Sequence, residues 1–160
     1  MLLGGVFKAT GNHSPAELPA KSKWSAFDMP MWATHYGVPF QRNPFFPVNT
    51  LALMRGAAAA QIDGLFEQYH PAMYKAMWVD GRNLNDMQEV AAVLTEAGLD
   101  ARAFGNRIQD QDVKDRLKST TDEAVARGVF GAPTMFVDDM MFFGNDRLPF
   151  VEMALKGELK

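Results

Sequence analysis

The chain has 160 residues, of which 48% are hydrophobic and 22% are charged, so its length and composition suit one globular domain with a substantial apolar core. A net charge of -3 gives no basic surface for nucleic acid or anionic membranes, and no apolar run is long enough to cross a bilayer. The lack of cysteine excludes disulfides, a CxxC redox pair and a cysteine nucleophile, and the three histidines lack metal-ligand spacing. Since the first residues do not resemble a signal peptide, we expect a cytoplasmic protein.

The N-terminal third is predicted to be mostly loop and helix. Residues 2–7 are predicted to be the tail of a strand that two glycines interrupt, and residues 11–19 form a polar, proline-containing loop. Apolar and aromatic residues at near-helical spacing predict helix over residues 21–36. Pro30 is expected to divide this segment into two short helices, because a proline inside a helix costs about 3 kcal/mol. Residues 38–47 contain three prolines and are predicted to be a loop.

The middle of the chain is predicted to be a block of helices in close succession. Each segment places apolar residues on one face, and glycines or short loops separate the segments. In chain order the helices run from an Asn49 cap to Gly64, over residues 65–78, from an Asn85 or Asp86 cap to Gly98, over residues 100–108 and over residues 111–127.

The C-terminal segment has a different pattern. Residues 131–133, Gly-Ala-Pro, form a turn, and residues 134–137 and 140–143 are short apolar runs on either side of an Asp-Asp turn, which predicts a β-hairpin. A last helix is then predicted over residues 144–155. A hairpin followed by a packed helix is the C-terminal half of a thioredoxin fold.

The element order therefore predicts an α/β, thioredoxin-like fold with a large helical insertion. Residues 1–20 and 128–160 would form the thioredoxin-like part, and residues 21–127 the insertion, within a single folding unit. Because a hairpin alone is marginally stable, we expect that an N-terminal strand is missing or comes from elsewhere.

The segment GVFGAPTMFV, residues 128–137, is a candidate for ligand binding. If the peptide bond before Pro133 is cis, the backbone of Ala132 turns outward, and its N–H and C=O can pair with an extended peptide. Alternatively, Pro133 simply begins the strand in trans, which a first strand position tolerates, and the local sequence alone favours this alternative.

Two further stretches contain polar groups suited to a ligand. At residues 144–147, a helix start favours a carboxylate and Asp146 could accept an ammonium group, or Asn145 is an ordinary N-cap with Asp146 in the first turn. Near the N-terminus, Asn12 could form hydrogen bonds with a peptide amide, and Lys8 could pair with a carboxylate. Alternatively, the segment is a solvated loop. None of these stretches is specific by itself.

Taken together, motifs spread over the whole chain resemble one family in the same order. They are GGVFKATGN, Leu18–Lys21, GVPF at residues 37–40, FPVNTLALMRG at 46–56, GVFGAPTMFVDD at 128–139 and FFGNDRLPFVEMAL at 142–155. This set resembles the 2-hydroxychromene-2-carboxylate isomerases, with the kappa-class glutathione transferases as close relatives, all of DsbA-like thioredoxin fold.

The resemblance implies a glutathione site. The residues that it assigns to glutathione are Asn12, Ala132, Pro133, Asn145 and Asp146. Weaker candidates near the substrate are Lys8, Trp78 and Arg147, and Trp78 is favoured as a core residue rather than a wall of the site. The resemblance also implies that the Ala132–Pro133 bond is cis, and that no metal takes part.

The implied reaction is the reversible isomerisation of 2-hydroxychromene-2-carboxylate and trans-o-hydroxybenzylidenepyruvate in aromatic catabolism, by transient addition of the glutathione thiolate. A borrowed nucleophile suits a chain without cysteine. The alternatives are kappa-class transferase activity and a glutathione-binding module without turnover, whereas a disulfide oxidoreductase is disfavoured. The expected partners are a small aromatic hydroxy or keto acid and a second copy of the chain.

One family feature has no counterpart here. In the family, a serine that hydrogen-bonds the glutathione sulfur lies in a first strand–helix segment, and this sequence begins after the corresponding point. The four serines of the chain, Ser14, Ser22, Ser25 and Ser119, lie in other contexts, where they are expected to be loop or helix-surface residues. The catalytic residue therefore stays unassigned.

Overall fold

A computed structural model describes residues 1–159, in which eight α-helices and one β-hairpin are present. The helices are α1 (Leu3–Thr10), α2 (Pro19–Tyr36), α3 (Leu51–Ile62), α4 (Phe66–Trp78), α5 (Met87–Glu96), α6 (Ala101–Arg107), α7 (Gln111–Ala126) and α8 (Leu148–Leu155). The strands are β1 (Thr134–Val137) and β2 (Met140–Phe143), and short 3-10 turns span Pro15–Glu17 and Asn145–Arg147. Among these described residues, no helix has both the length and the apolar character that a membrane span needs.

The described chain forms two compact units. A helical unit contains residues 14–119, and a hairpin unit contains residues 3–13 with the C-terminal segment from Thr120. Helix α7 contributes its first part to the helical unit and its second part to the hairpin unit. The division into a thioredoxin-like part and an insertion at residues 20 and 128 stays a prediction.

The predicted strand tail at residues 2–7 is wrong, because this segment belongs to helix α1. Leu3, Val6, Phe7 and Thr10 recur at helical spacing, and Val6 is fully buried. The Thr10 hydroxyl donates to the Val6 carbonyl, which supports the last turn. Without a neighbouring strand to pair with in the described residues, the backbone hydrogen bonds of this segment are satisfied within a helix instead.

The prediction that Pro30 divides residues 21–36 into two helices is also wrong. Helix α2 continues through Pro30 and ends at Gly37, which takes the left-handed conformation with φ of 64°. A proline removes one intrahelical hydrogen-bond donor, but this loss does not end the helix, because the flanking residues remain helical. Helix α2, which is described in full, buries none of its residues, and Trp24 and Phe27 are exposed.

The later helices confirm the predicted cap at Asp86, whereas the predicted cap at Asn49 lies one residue too early, because the N-cap of α3 is Thr50. Asp86 accepts a hydrogen bond from the Gln88 N–H at the start of α5, and Asp100 accepts one from the Ala103 N–H at the start of α6. Asn49 lies two residues before α3 and accepts a hydrogen bond from the Leu51 N–H at 3.1 Å. Local polar residues thus define where these helices begin.

The core of the helical unit lies between α3, α4, α5 and α6. Its centre is a stacked pair, Tyr69 and Phe104, whose ring centroids are 5.5 Å apart with an interplanar angle of 9°. The Tyr69 hydroxyl donates to the Leu53 carbonyl at 2.7 Å, and burial raises the pKa of this hydroxyl. A second small cluster packs Ala58 and Ala59 of α3 against α7.

Helix α3 approaches Tyr69 closely at Gly56. A Cβ atom at Gly56 would overlap the Tyr69 hydroxyl oxygen and lie 2.7 Å from its Cζ atom. We therefore expect Gly56→Ala to lower the free energy of unfolding by about 1 kcal/mol, because overpacking costs roughly 1–3 kcal/mol and exceeds the gain of about 1 kcal/mol in helix propensity.

Urea unfolding followed by circular dichroism measures this effect. Gly105→Ala in α6 is the matched control, because a Cβ atom there meets no heavy atom within 4 Å and should raise stability by up to about 1 kcal/mol. Two changes of the same sign would contradict the close approach at Gly56.

Asn43 fixes the loop between α2 and α3. This residue is only 2% exposed, and its side-chain amide donates to the carbonyls of Met77 at 3.0 Å and Arg82 at 2.8 Å. Its side-chain oxygen accepts from the Phe45 N–H at 2.8 Å. One buried amide thus joins the loop to the end of α4 and to the segment that follows it.

A surface network surrounds Arg107 at the end of α6. Its guanidinium group donates to Asp63, Asp110 and Asp112. The hydrogen bond from Arg107 lowers the pKa of Asp112, and the same contacts raise the pKa of Arg107. Since these groups are partly exposed, we expect the network to orient the helix ends rather than to contribute much stability.

The hairpin unit confirms the predicted strands. Strands β1 and β2 pair antiparallel, with Thr134 opposite Phe143 and Val137 opposite Met140. Asp138 occupies the turn with φ of 52°. Helix α8 packs on β1, and Ala154 is its buried residue. The order hairpin then helix is that of the C-terminal half of a thioredoxin-like fold.

Candidate functional site

The two turns at one end of the hairpin lie side by side. The Gly144 N–H donates to the Pro133 carbonyl at 3.0 Å, directly beyond the Thr134–Phe143 pair. The turn before β1 and the turn after β2 are therefore neighbours, and we call residues 130–133 and 144–147 together the hairpin corner. The Ala132–Pro133 peptide bond is cis, which confirms the prediction made from the family resemblance.

The backbone of Ala132 is available for pairing. Ala132 and Pro133 are both exposed. Within residues 1–159, neither the N–H nor the C=O of Ala132 has a hydrogen-bond partner, whereas the neighbouring Gly131 carbonyl accepts from the Thr134 hydroxyl at 2.8 Å. An exposed donor and acceptor on one residue match the edge of an extended peptide.

Asn12 lies against the hairpin corner. Its side-chain amide donates to the Phe130 carbonyl at 2.8 Å, and its side-chain oxygen accepts from the His13 N–H at 2.9 Å. The predicted role of Asn12 was contact with a ligand amide. The structure brings it to the corner, where it holds the chain two residues before Ala132.

The second half of the corner is the 3-10 turn Asn145–Arg147, which leads into α8. The Asp146 carboxylate pairs with the guanidinium group of Arg147, and their side chains are 46% and 48% exposed. The Arg147 N–H donates to the Gly144 carbonyl at 3.2 Å and closes the turn. The corner therefore presents both a carboxylate and a cation at its surface.

Two glycines allow this geometry, and the sequence reasoning gave them no role of their own. Gly144 has φ of 100°, and a Cβ atom there would overlap the Asp146 carboxylate oxygen. At the buried Gly131, a Cβ atom would lie 2.7 Å from the Phe143 ring. The sequence signal for this geometry is a glycine on each side of the hairpin.

The structure does not join the remaining candidates to the corner. Lys8 is exposed on α1 and has no hydrogen bond or ion pair to the other candidates within the described chain. Trp78 belongs to the helical unit, where its ring centroid lies 6.0 Å from that of Phe40 and 5.6 Å from that of Phe46. These contacts suit the core role that was favoured for Trp78.

The serines have local structural roles. Ser14 caps the first 3-10 turn by accepting from the Ala16 N–H at 3.3 Å, and the Ser25 hydroxyl donates to the Ser22 carbonyl at 2.9 Å. Ser119 is exposed on α7. The described hairpin corner therefore presents an unpaired backbone donor and acceptor and a charged pair, and it contains no serine.

The family comparison covers almost the whole chain. The sequence model of the DSBA-like thioredoxin domain family matches residues 1–156. Among curated proteins, a 2-hydroxychromene-2-carboxylate isomerase of Sphingobium xenophagum is 34% identical, over 92% of this chain and 75% of the relative. Glutathione S-transferase kappa 1 of Homo sapiens is 29% identical, over 96% of this chain and 74% of the relative.

A solved structure gives the same relationship. The structure of a 2-hydroxychromene-2-carboxylate isomerase superposes with a TM-score of 0.81 and 30% sequence identity, covering 98% of this chain and 77% of that chain. Sequence and structure therefore agree on the fold and on the similarity to these isomerases. The chain belongs to the DSBA-like thioredoxin domain family and is an isomerase-like enzyme of the 2-hydroxychromene-2-carboxylate isomerase group within it.

Proposed function

We propose that the protein is a glutathione-dependent isomerase that interconverts 2-hydroxychromene-2-carboxylate and trans-o-hydroxybenzylidenepyruvate in aromatic catabolism. The observation that carries the proposal is the unpaired, exposed backbone of Ala132 beside the Asn145–Arg147 turn. This juxtaposition suits a short peptide with a charged amino-acid end. The names of the isomerase relatives support a small aromatic hydroxy or keto acid as the substrate, and the proposal includes a cytoplasmic location and a homodimer.

The residues at the corner fit glutathione. The N–H and C=O of Ala132 would pair with its cysteinyl part as an added strand would, next to Pro133. Asp146 would accept from the ammonium group of the γ-glutamyl end, and Asn145 would contact the same end. Asn12 holds the Phe130 carbonyl, so its role in binding would be to position the corner.

When bound, glutathione supplies the thiolate whose reversible addition to a conjugated carbon turns a slow double-bond isomerisation into two easier steps. The residues of this chain bind and orient. A peptide that pairs with Ala132 is fixed along its backbone, and the Asp146–Arg147 pair fixes its charged end. Such positioning is what raises the effective concentration of two reactants.

Kappa-class transferase activity is the second candidate. The human kappa-class relative matches nearly the same span of this chain as the isomerases do. The same corner would then hold glutathione, and the electrophile would leave as a stable conjugate rather than as an isomer. Lys8 and Arg147, both in the hairpin unit, would be the residues to test for contact with either substrate.

An absorbance assay of the isomerisation tests the proposal. We expect turnover with glutathione, and only the uncatalysed rate with S-methylglutathione, because the methyl group blocks the thiol while the peptide and its charged end stay intact. Calorimetry of both peptides should show comparable binding. Equal turnover with and without glutathione would refute glutathione dependence, and binding without turnover would support a non-catalytic module instead.

A further inference from the structure

The helical unit contains an apolar groove that the proposed reaction does not use. It has a volume of about 210 Å³ and opens between α3, α5 and α6. Its inner walls are the buried side chains of Tyr69, Val90, Leu94 and Phe104. All of its lining residues belong to the helical unit, whereas the residues of the hairpin corner belong to the other unit.

Small residues leave this space open. Ala52, Ala91, Ala101 and Gly105 line the groove. Gly105 is exposed at its edge, and a Cβ atom there meets no heavy atom within 4 Å. A larger side chain would therefore occupy the groove without displacing a neighbour.

The chemistry of the walls selects an uncharged ligand. No lysine, arginine, histidine, aspartate or glutamate lines the groove among the described residues. The Tyr69 hydroxyl is the polar side-chain group of the lining, and it already donates to the Leu53 carbonyl. Because a charge without a partner is costly to transfer from water into apolar surroundings, a carboxylate would not enter.

We propose that this groove binds a small, uncharged aromatic molecule with one or two rings. An apolar cavity of roughly 150 Å³ is known to hold one benzene ring, so the present groove has room for such a molecule. The Tyr69 and Phe104 rings stack on each other, and both contribute apolar ring surface to the lining. The groove would thus bind a neutral aromatic compound apart from the acid that the proposed reaction turns over.

Fluorine NMR with two matched probes tests this inference on the full chain. Fluorobenzene should show saturable line broadening, and 4-fluorobenzoate should bind at least about tenfold more weakly, since it carries a charged carboxylate on the same fluorinated ring. Gly105→Leu should weaken fluorobenzene binding by about tenfold or more by filling the groove. Ala103→Leu adds the same side chain at an exposed position of α6 outside the lining and should leave binding unchanged.

The variants also show whether the fold is intact. Gly105→Leu should unfold at the same or a higher urea concentration than the parent chain, because leucine is the better helix former. Fluorobenzene binding that survives Gly105→Leu, equal binding of 4-fluorobenzoate, or no saturable binding to the parent chain would each overturn the inference. The readout does not involve glutathione, so it is independent of the outcome for the proposed function.

Discussion

Asn43→Ala is expected to lower the free energy of unfolding by about 2–4 kcal/mol. The substitution removes the partner that Asn43 gives to the Met77 carbonyl and the Phe45 N–H, whereas the Arg82 carbonyl keeps the Leu84 N–H as a donor. Each buried polar group that loses its partner costs roughly 1–3 kcal/mol, and the total is reduced by water that enters as the loop relaxes. Urea unfolding followed by circular dichroism measures the change.

Asn106→Ala is the matched control for Asn43→Ala. Asn106 is exposed on α6, so its loss should change stability by no more than about 0.5 kcal/mol. Asn43→Asp keeps the shape and the acceptor but removes the two donated hydrogen bonds, and it should be as damaging as alanine. If Asn43→Ala matches its control, the buried amide does not hold the loop.

Asp146→Ala should weaken glutathione binding by about 1–3 kcal/mol, the range for a lost hydrogen bond to a charged group. The carboxylate is about half exposed and already paired with Arg147, so the ammonium group of the ligand would join a site that carries both charges. Removal of the carboxylate leaves Arg147 to face the ammonium group, and like charges then oppose binding. Isothermal titration with glutathione measures the affinity.

Asp139→Ala provides the control for the change in net charge. Asp139 is exposed in the turn at the opposite end of the hairpin, so its removal alters the charge of the unit without touching the corner. Its effect on affinity should fade at moderate salt, whereas that of Asp146→Ala should persist. Unchanged affinity after Asp146→Ala would remove this residue from the proposed site.

The elements with local signals were predictable from the sequence. Asp86 and Asp100 cap helices through hydrogen bonds to residues two and three positions later, so a short window contains all the information. The hairpin was likewise marked by two apolar runs around an Asp-Asp turn. The errors at residues 2–7 and at Pro30 arose because helix breakers were given too much weight against a continuing helix.

The long-range contacts of two asparagines, one at the hairpin corner and one in the helical unit, were beyond local reasoning. Asn12 meets the Phe130 carbonyl across 118 residues, and Asn43 reaches Met77 and Arg82 across 34 and 39 residues. No spacing rule predicts such pairs, because their partners are backbone groups that any residue type could supply. The Ala132 and Asp146 candidates could be placed together only because the hairpin register sets both turns at one end.

Because Gly56 and Tyr69 are in contact, we expect the residue types at these two positions to vary together in evolution. Tyrosine at position 69 favours glycine at position 56, since the hydroxyl occupies the place where any other side chain would begin. We expect that a relative with alanine at the first position carries a smaller or reoriented side chain at the second. A double substitution, with alanine at position 56 and a smaller side chain at position 69, would then be tolerated better than either change alone.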